Sequence, residues 1–404
     1  MMVSILPTYD RAPLTFVKGA GCWMIEADGR RFLDLGAGIA VNVLGHAHPA
    51  LVAALNQQAQ SLWHVSNLYH IPQQRALADK LVDASFADTV FFTNSGTEAC
   101  ELAIKMTRKY WFTKQQPART TLVAFEGAFH GRSSGGIAAS GSAKLTHGFG
   151  PLLPGFAHVP WGDLDALEGV LKTHAATLAA VIVEPIQGEG GIRPLSDAQL
   201  RQLRALCDRH GVLLILDEVQ CGVGRTGRLF AHEWAGIKPD IMMAAKGLGG
   251  GFPLGAVLAT TEAASGMGVG SHGSTYGGNP LACAVGCAVL DIVNDPEFLA
   301  EVCRKAGAMR QHLEGLVATH PQVFDHVRGA GLMLGLKCKV PNVDVVQAGY
   351  AAQVAVVPAA DNVVRLLPPL IISDEDIAEA MARLESAAQR IERDIAGSAA
   401  TQET

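Results

Sequence analysis

Lys246 stands at the end of an unbroken apolar run, Ile241-Met242-Met243-Ala244-Ala245, and is followed by Gly247-Leu248-Gly249-Gly250-Gly251. The run predicts a buried strand, and an ammonium group at its end loses hydration. Burial lowers the pKa of such a lysine and frees a neutral amine, the state in which it condenses with a carbonyl group. Four further apolar runs end in residues with chemistry to offer. Val90–Phe92 leads into Thr93-Asn94-Ser95-Gly96-Thr97-Glu98, where Ser95 and Glu98 form a capping box and Gly96 lets backbone N–H groups converge. A helix N-terminus carrying hydroxyls is a ready phosphate site, although the same residues also serve as a plain cap.

Thr121–Phe125 leads into Glu126-Gly127-Ala128-Phe129-His130-Gly131-Arg132. Phe129 offers a face to stack on a flat ring and Arg132 a fork for a carboxylate, or they are a core aromatic and a surface cation. Val212–Leu216 ends in Asp217-Glu218-Val219-Gln220. A carboxylate at the end of an apolar strand needs a partner that offsets its desolvation. A protonated ring nitrogen, a helix N-terminus or an arginine would serve. Ala179–Val183 ends in Glu184-Pro185-Ile186-Gln187-Gly188-Glu189-Gly190-Gly191, two glutamates on a glycine-rich loop suited to pairing with arginines or to solvation.

The elements that must position these groups alternate along the chain. Amphipathic stretches at Glu98–Phe112, Leu164–Ala175 and Ser196–His210 separate the apolar runs, and a further run, Ala256–Thr260, follows Lys246. Ser196 with Gln199 opens the third helix and Gly211 closes it. This alternation predicts an α/β fold, a mostly parallel sheet covered on both faces, with ligands at the carboxyl ends of its strands. From about Asp291 the texture changes to a helix (Glu297–Thr319), short strands (Val323–Val327, Leu332–Lys337, Val354–Val357, Val363–Leu366) and a long final helix after Ser373. The division expected is a large domain over 49–290 and a smaller α+β domain over 291–404, joined by the strand-rich segment 1–48. The small, polar tail Gly397–Thr404 is expected to fray.

With 404 residues, 49% of them apolar and 17% charged, the chain can bury a large core. A net charge of −6 without a basic run argues against nucleic acid, and no apolar stretch is long enough for a membrane span. The segment Met1–Pro13 shows no targeting pattern, and the 8 cysteines form no CxxC, so free thiols and a cytoplasmic location are expected. No metal is expected, since His46 and His48 lack a third ligand nearby in sequence. Gly222-Val-Gly224-Arg-Thr-Gly227 matches the dinucleotide GxGxxG by letters only. Asp217–Cys221 separate it from the strand and the stretch after it is a weak helix, which leaves a nicotinamide oxidoreductase as a remote alternative.

A lysine and an aspartate at strand ends, a phosphate cradle at a helix start and an aromatic between them are the parts needed to hold pyridoxal phosphate. The chain resembles the class III (ω-type) pyridoxal-phosphate aminotransferases from about Phe16 to Ile377. The likeness is carried by Asn94-Ser-Gly-Thr-Glu-Ala99, Phe129-His-Gly-Arg132, Val183-Glu-Pro-Ile-Gln-Gly-Glu-Gly-Gly191, Leu216–Gly227, Ala245-Lys-Gly-Leu-Gly-Gly-Gly251 and Gly273-Ser-Thr-Tyr-Gly-Gly-Asn-Pro280. It implies fold type I of the pyridoxal-phosphate transferases. It also implies that Lys246 carries the cofactor and moves the proton, that Asp217 pairs with the ring nitrogen, and that Gln220 sits near the ring's phenolic oxygen. Ser95, Gly96 and Thr97 would grip the phosphate, Phe129 would stack on the ring, and Thr275 would reach the phosphate from a second subunit of a homodimer with active sites at the interface.

For substrates the resemblance implies N2-acetyl-L-ornithine as amino donor and 2-oxoglutarate as acceptor, giving N-acetyl-L-glutamate 5-semialdehyde and L-glutamate in arginine biosynthesis. Arg132 would bind the donor's carboxylate and Arg365 the oxo acid's α-carboxylate. Glu189, with Glu184 nearby on the same loop, would neutralise Arg365 while the ω-amine is bound. Relatives that use free ornithine carry a tyrosine where Ile39 stands, so an apolar residue there favours an acylated donor. Succinylornithine, N-succinyl-diaminopimelate, ornithine and 4-aminobutyrate remain alternatives.

Overall fold

The apolar runs in the middle of the chain have no polar face to offer water, so they are stable only with both faces covered. In the computed structural model, which describes residues 4–402, seven strands form one central sheet. In chain order they are β1 (Thr89–Thr93), β2 (Thr121–Phe125), β3 (Phe156–Val159), β4 (Leu178–Val183), β5 (Leu213–Asp217), β6 (Ile241–Ala244) and β7 (Gly255–Ala259). Their spatial order is β1-β7-β6-β5-β4-β2-β3. β3, β2, β4, β5 and β6 run parallel, while β7 is antiparallel to both its neighbours. The expected mostly parallel sheet is therefore present, with one reversed strand inside it.

Side chains alternate between the two faces. Leu214, Leu216, Met242 and Ala244 enter one apolar core, and Leu213, Ile215, Ile241 and Met243 enter another on the opposite side. Helix α1 (Gly96–Thr113) covers the second face with Ala99, Leu102, Ala103 and Met106. Helix α2 (Asp197–His210) covers the first with Leu200, Leu203 and Leu206. β3 and the helix Pro280–Val293 are absent from the sequence expectations. β3 is an edge strand of mixed character (Phe-Ala-His-Val), half exposed, so it lacks the continuous apolar signature of its neighbours.

The C-terminal strands β8 (Phe324–Ala330), β9 (Met333–Cys338), β10 (Val357–Ala359) and β11 (Val363–Leu366) form an antiparallel sheet in the order β8-β9-β11-β10. The run Val354–Val357 serves two sheets rather than one. Val354 and Ala355 pair in parallel with the N-terminal strand Arg31–Asp34, whereas Val357 begins β10. The final helix is continuous from Asp374 to Gln402 and so runs into the tail set apart at Gly397; Glu403 and Thr404 lie outside the described residues. All eight cysteines are free thiols. Among the described residues no helix is long and apolar enough to cross a membrane.

The capping box on α2 forms in full: Ser196 Oγ accepts the Gln199 N–H at 3.2 Å, and the Ser196 N–H donates to Gln199 Oε1 at 3.0 Å. Gly211 closes the helix at φ +58°. Ser196→Ala removes one of these bonds from an exposed cap. It is expected to lower unfolding free energy by about 1 kcal/mol in chemical denaturation while leaving turnover unchanged.

Candidate active site

Five strand ends meet at one edge of the central sheet because parallel strands present their carboxyl ends together. The cavity there measures about 340 Å³ and is lined by Ser95, Gly96, Thr97, Phe129, Glu184, Asp217, Val219, Gln220 and Lys246. Lys246 leaves β6 with φ +46° and opens a tight turn through Gly249. Its side chain keeps some surface toward the cavity, yet burial pulls the ammonium pKa down. Arg365 adds to that shift, and Glu189, Asp217 and Glu184 oppose it. The amine is thus primed for reaction with a carbonyl.

The partner of Asp217 within the chain is neither a helix terminus nor an arginine but His130. Asp217 Oδ2 lies 2.8 Å from His130 Nδ1, and Oδ1 accepts the Val219 N–H at 3.1 Å. Both side chains are buried. Burial alone would depress the imidazolium, but the hydrogen bond and charge of Asp217, helped by Glu184, raise the His130 pKa. The hydrogen bond with His130 offsets part of the cost of burying the Asp217 carboxylate. His130 lies in the quoted Phe129–Arg132 stretch, two strands away from Asp217 in the sheet. The only signal for it in the sequence is its place at another strand end.

At the start of α1, Ser95 Oγ accepts the Glu98 N–H at 3.2 Å. The reciprocal half of the expected capping box does not form. Glu98 Oε2 instead accepts from the backbone and side-chain N–H groups of Asn94, at 2.8 and 2.9 Å. The first N–H groups of the helix face the cavity without helical acceptors. A Cβ on Gly96 would sit 2.8 Å from Val219 Cγ1, and one on Gly131 would sit 2.7 Å from Thr97 Oγ1. Both glycines keep that cradle open. Phe129 and Val219 supply apolar surface to the same cavity.

Arg365, on β11, is buried and donates to Glu189 through both terminal nitrogens, at 2.5 and 3.2 Å. It donates further to Gln220 Oε1 at 3.3 Å and to the Pro358 carbonyl at 3.1 Å. The Glu189 carbonyl accepts the Ala360 N–H at 3.0 Å, which ties its backbone, and its carboxylate is one-third exposed. Ile39 lies in an unusual left-handed turn: Ala37, Gly38, Ile39 and Ala40 have φ of +46°, +64°, +64° and +62°. Such a turn costs free energy in L-residues and needs bracing. Asp34 braces it, with Oδ1 accepting the N–H groups of Gly36 and Ala37 at 2.9 and 2.8 Å and Oδ2 lying 2.8 Å from His46 Nε2.

Arg132, Thr275, Ile39, Glu189 and Arg365 do not border the cavity within one copy of the chain, though Arg365 meets it through Gln220. Arg132 is exposed, 5.6 Å from the Phe129 ring centroid. Thr275 is exposed on a separate groove of about 1180 Å³ beside His64–Ile71. The residues that do converge suit a flat heteroaromatic aldehyde bearing a phosphate. They comprise N–H donors and hydroxyls for the anion, an apolar wall for the ring, a carboxylate for a ring cation and an amine for the carbonyl.

Glu184 accepts the N–H groups of Phe129 and Gly188, at 3.1 and 3.3 Å, and so ties two loops of the site together. Burial pushes its pKa up to about 7; Asp217 adds to the shift, and His130 and the two N–H donors oppose it. An unfolded glutamate titrates near ~4.3, so ionising Glu184 opposes folding. That penalty is present above about 7 and is relieved as pH falls through this value. Glu184→Gln lacks the titration, so its stability relative to the parent is expected to rise between about pH 5 and pH 8 in urea denaturation. A difference independent of pH would contradict the assignment.

A model of the family described as aminotransferase class-III matches residues 5–388. An acetylornithine aminotransferase of Rhodobacter capsulatus is 65% identical, over 97% of this chain and 99% of that protein. One from Mesorhizobium japonicum is 55% identical, over 98% and 99%. Among solved structures, the ornithine aminotransferase of Toxoplasma gondii superposes with a TM-score of 0.93 at 30% identity, covering 97% of this chain and 94% of that one. The N-acetylornithine aminotransferase of Stenotrophomonas maltophilia gives 0.83 at 38% identity, with 96% and 98% covered. With its strand-end lysine and aspartate inside a match of this length, the chain belongs to the class III aminotransferase family.

Proposed function

We propose that the chain uses pyridoxal phosphate to transfer the δ-amino group of N2-acetyl-L-ornithine to 2-oxoglutarate. The products are N-acetyl-L-glutamate 5-semialdehyde and L-glutamate, a step of arginine biosynthesis in the cytoplasm. The observation that carries this function is the Glu189–Arg365 pair beside the buried amine of Lys246. The names of relatives that align over nearly their whole length support it. When bound, the cofactor supplies the carbonyl that receives the amino group and a ring that draws off electrons as the C–H bond breaks.

The chain's own residues account for the rest. The N–H groups and hydroxyls of Ser95, Gly96 and Thr97 hold the phosphate, with Thr275 of a second copy completing the cradle in a homodimer. Phe129 covers the ring face and Gln220 the ring oxygen. Asp217, hydrogen-bonded to His130, would pair with the ring nitrogen. Lys246 Nζ, its pKa pulled down by burial, would take the proton from the substrate's δ-carbon and deliver it to the carbon that carried the cofactor's carbonyl.

Two substrates of opposite demand share this cavity. Arg132 takes the carboxylate of the donor. Arg365 takes the α-carboxylate of the oxo acid, but bare it would draw the donor's carboxylate to the wrong place. Glu189 cancels that charge during the first half-reaction and turns away for the second. The apolar side chain of Ile39, fixed by the left-handed turn, offers nothing to a free α-ammonium and so favours the acylated donor. The same proposal divides the chain into a large domain over 49–290 and a small one built from 1–48 and 291–404.

A panel of donors tests the substrate. kcat/KM is expected to be highest for acetylornithine, and a higher value for free ornithine would overturn the assignment. Glu189→Ala leaves Arg365 uncovered, so the activity ratio of α- to ω-amino donors is expected to rise about tenfold or more. An unchanged ratio would remove Glu189 from this role.

A further inference from the structure

Arg225, within the Gly222–Gly227 pattern that resembles a dinucleotide loop only by letters, has no exposed surface. Among the described residues it has no ion-pair partner, and its Nε and Nη2 have no hydrogen-bond partner. A guanidinium so poorly compensated is costly, and burial pulls its pKa down to about 9. Its one use of hydrogen bonds is specific. Nη1 donates to the carbonyls of both Leu332, at 3.1 Å, and Pro368. The Arg225 carbonyl in turn accepts the Leu332 N–H at 2.9 Å.

These two carbonyls lie two residues beyond the last pair of the β9–β11 ladder, Leu334 with Leu366. Continued at the same offset, the register would set Leu332 against Pro368. Proline has no N–H, and the ladder cannot close there from backbone atoms. Arg225 supplies the missing donor from a loop that begins at the end of β5, just beyond Asp217 and Gln220. The approach is close: Gly331 has φ +57°, and a Cβ on it would lie 2.4 Å from Thr226 Cα. The same end of β11 is tied elsewhere by the Leu367 N–H to the Leu35 carbonyl at 2.6 Å and the Leu370 N–H to the Val43 carbonyl at 2.7 Å.

We infer that Arg225 is a positioning residue for Arg365, closing the β9–β11 ladder so that the arginine of the oxo acid site is held at a set distance from the strand ends carrying Asp217 and Lys246. This role rests on Arg365 binding the oxo acid. Without Arg225 the strand end keeps its ties to Leu35 and Val43 but loses the bond at Pro368, which leaves the 3.3 Å contact of Arg365 with Gln220 as the side-chain link to the loop after β5. The donor half-reaction, in which Arg365 is covered by Glu189, depends little on that distance. The acceptor half-reaction depends on it directly.

Single-turnover half-reactions of the holoenzyme, followed by the cofactor's absorbance, separate the two. Arg225→Met is expected to raise half-saturation by 2-oxoglutarate about tenfold or more, while the rate with acetylornithine stays within about threefold. Arg225→Lys, which keeps one reachable donor, is expected to fall between Arg225→Met and the parent. Equal losses in both half-reactions, or an unchanged response to 2-oxoglutarate, would overturn the role of Arg225. Should Arg225→Met fail to fold, Arg225→Lys decides by the same split. Arg365→Met serves as reference: if it leaves 2-oxoglutarate binding intact, the assignment of Arg365 itself fails, whatever Arg225 does.

Discussion

Charge held away from water is the constraint on which this molecule is built. Asp217, Glu184 and Lys246 line one cavity, Arg365 stands behind it against Gln220, and each would be expensive there alone. Each is offset differently. Asp217 is offset by His130, Arg365 by Glu189 and Gln220, and Glu184 by two backbone N–H groups and the proton it retains. Among the described residues Lys246 alone of the four has no side-chain hydrogen-bonding partner, and burial pulls its pKa down instead. Reactivity and compensation are thus the same fact seen from two residues.

Sheet direction decides how these groups meet. Parallel strands deliver Phe125, Val183, Asp217 and Ala244 to one edge, so the loops beyond them face a common space. β7 reverses the pattern, and its first residue, Gly255, reaches that edge beside Thr93 and Ser95, where a Cβ would come within 2.5 Å of Thr93 Oγ1. The lysine loop is thereby returned to the phosphate cradle by the sheet itself. The smaller C-terminal sheet adds Arg365 from the other side, through the contacts of Glu189, Gln220 and Arg225.

Much of this was legible in the residues, and the reason is periodicity. Continuous apolar runs ending abruptly in Lys246, Asp217, Glu184 or Ser95 mark strand ends without any knowledge of pairing. Compensation was not legible, because His130, Arg225 and Asp34 meet their partners only through strand order and loop path. Glu98 bonding Asn94 rather than completing the box on Ser95 is of the same kind, a local choice between near-equal acceptors. β3 escaped because an edge strand needs no unbroken apolar run. Arg132 and Thr275 lie outside the cavity of a single copy, so no intrachain geometry could assign them.

The reversed strand has a consequence for how the protein lets go of what it holds. Lys246 sits in a hairpin, Ala245–Leu254, both of whose ends are buried strands in the middle of the sheet. A loop anchored in this way cannot open by local fraying, because displacing either stem breaks pairing with β5 or β1 as well. The backbone around Lys246 therefore opens only with the sheet itself, so a molecule held there must leave through the cavity while the loop stays in place. Amide exchange in Met242–Ala244 and Gly255–Val257 should share one slow opening event.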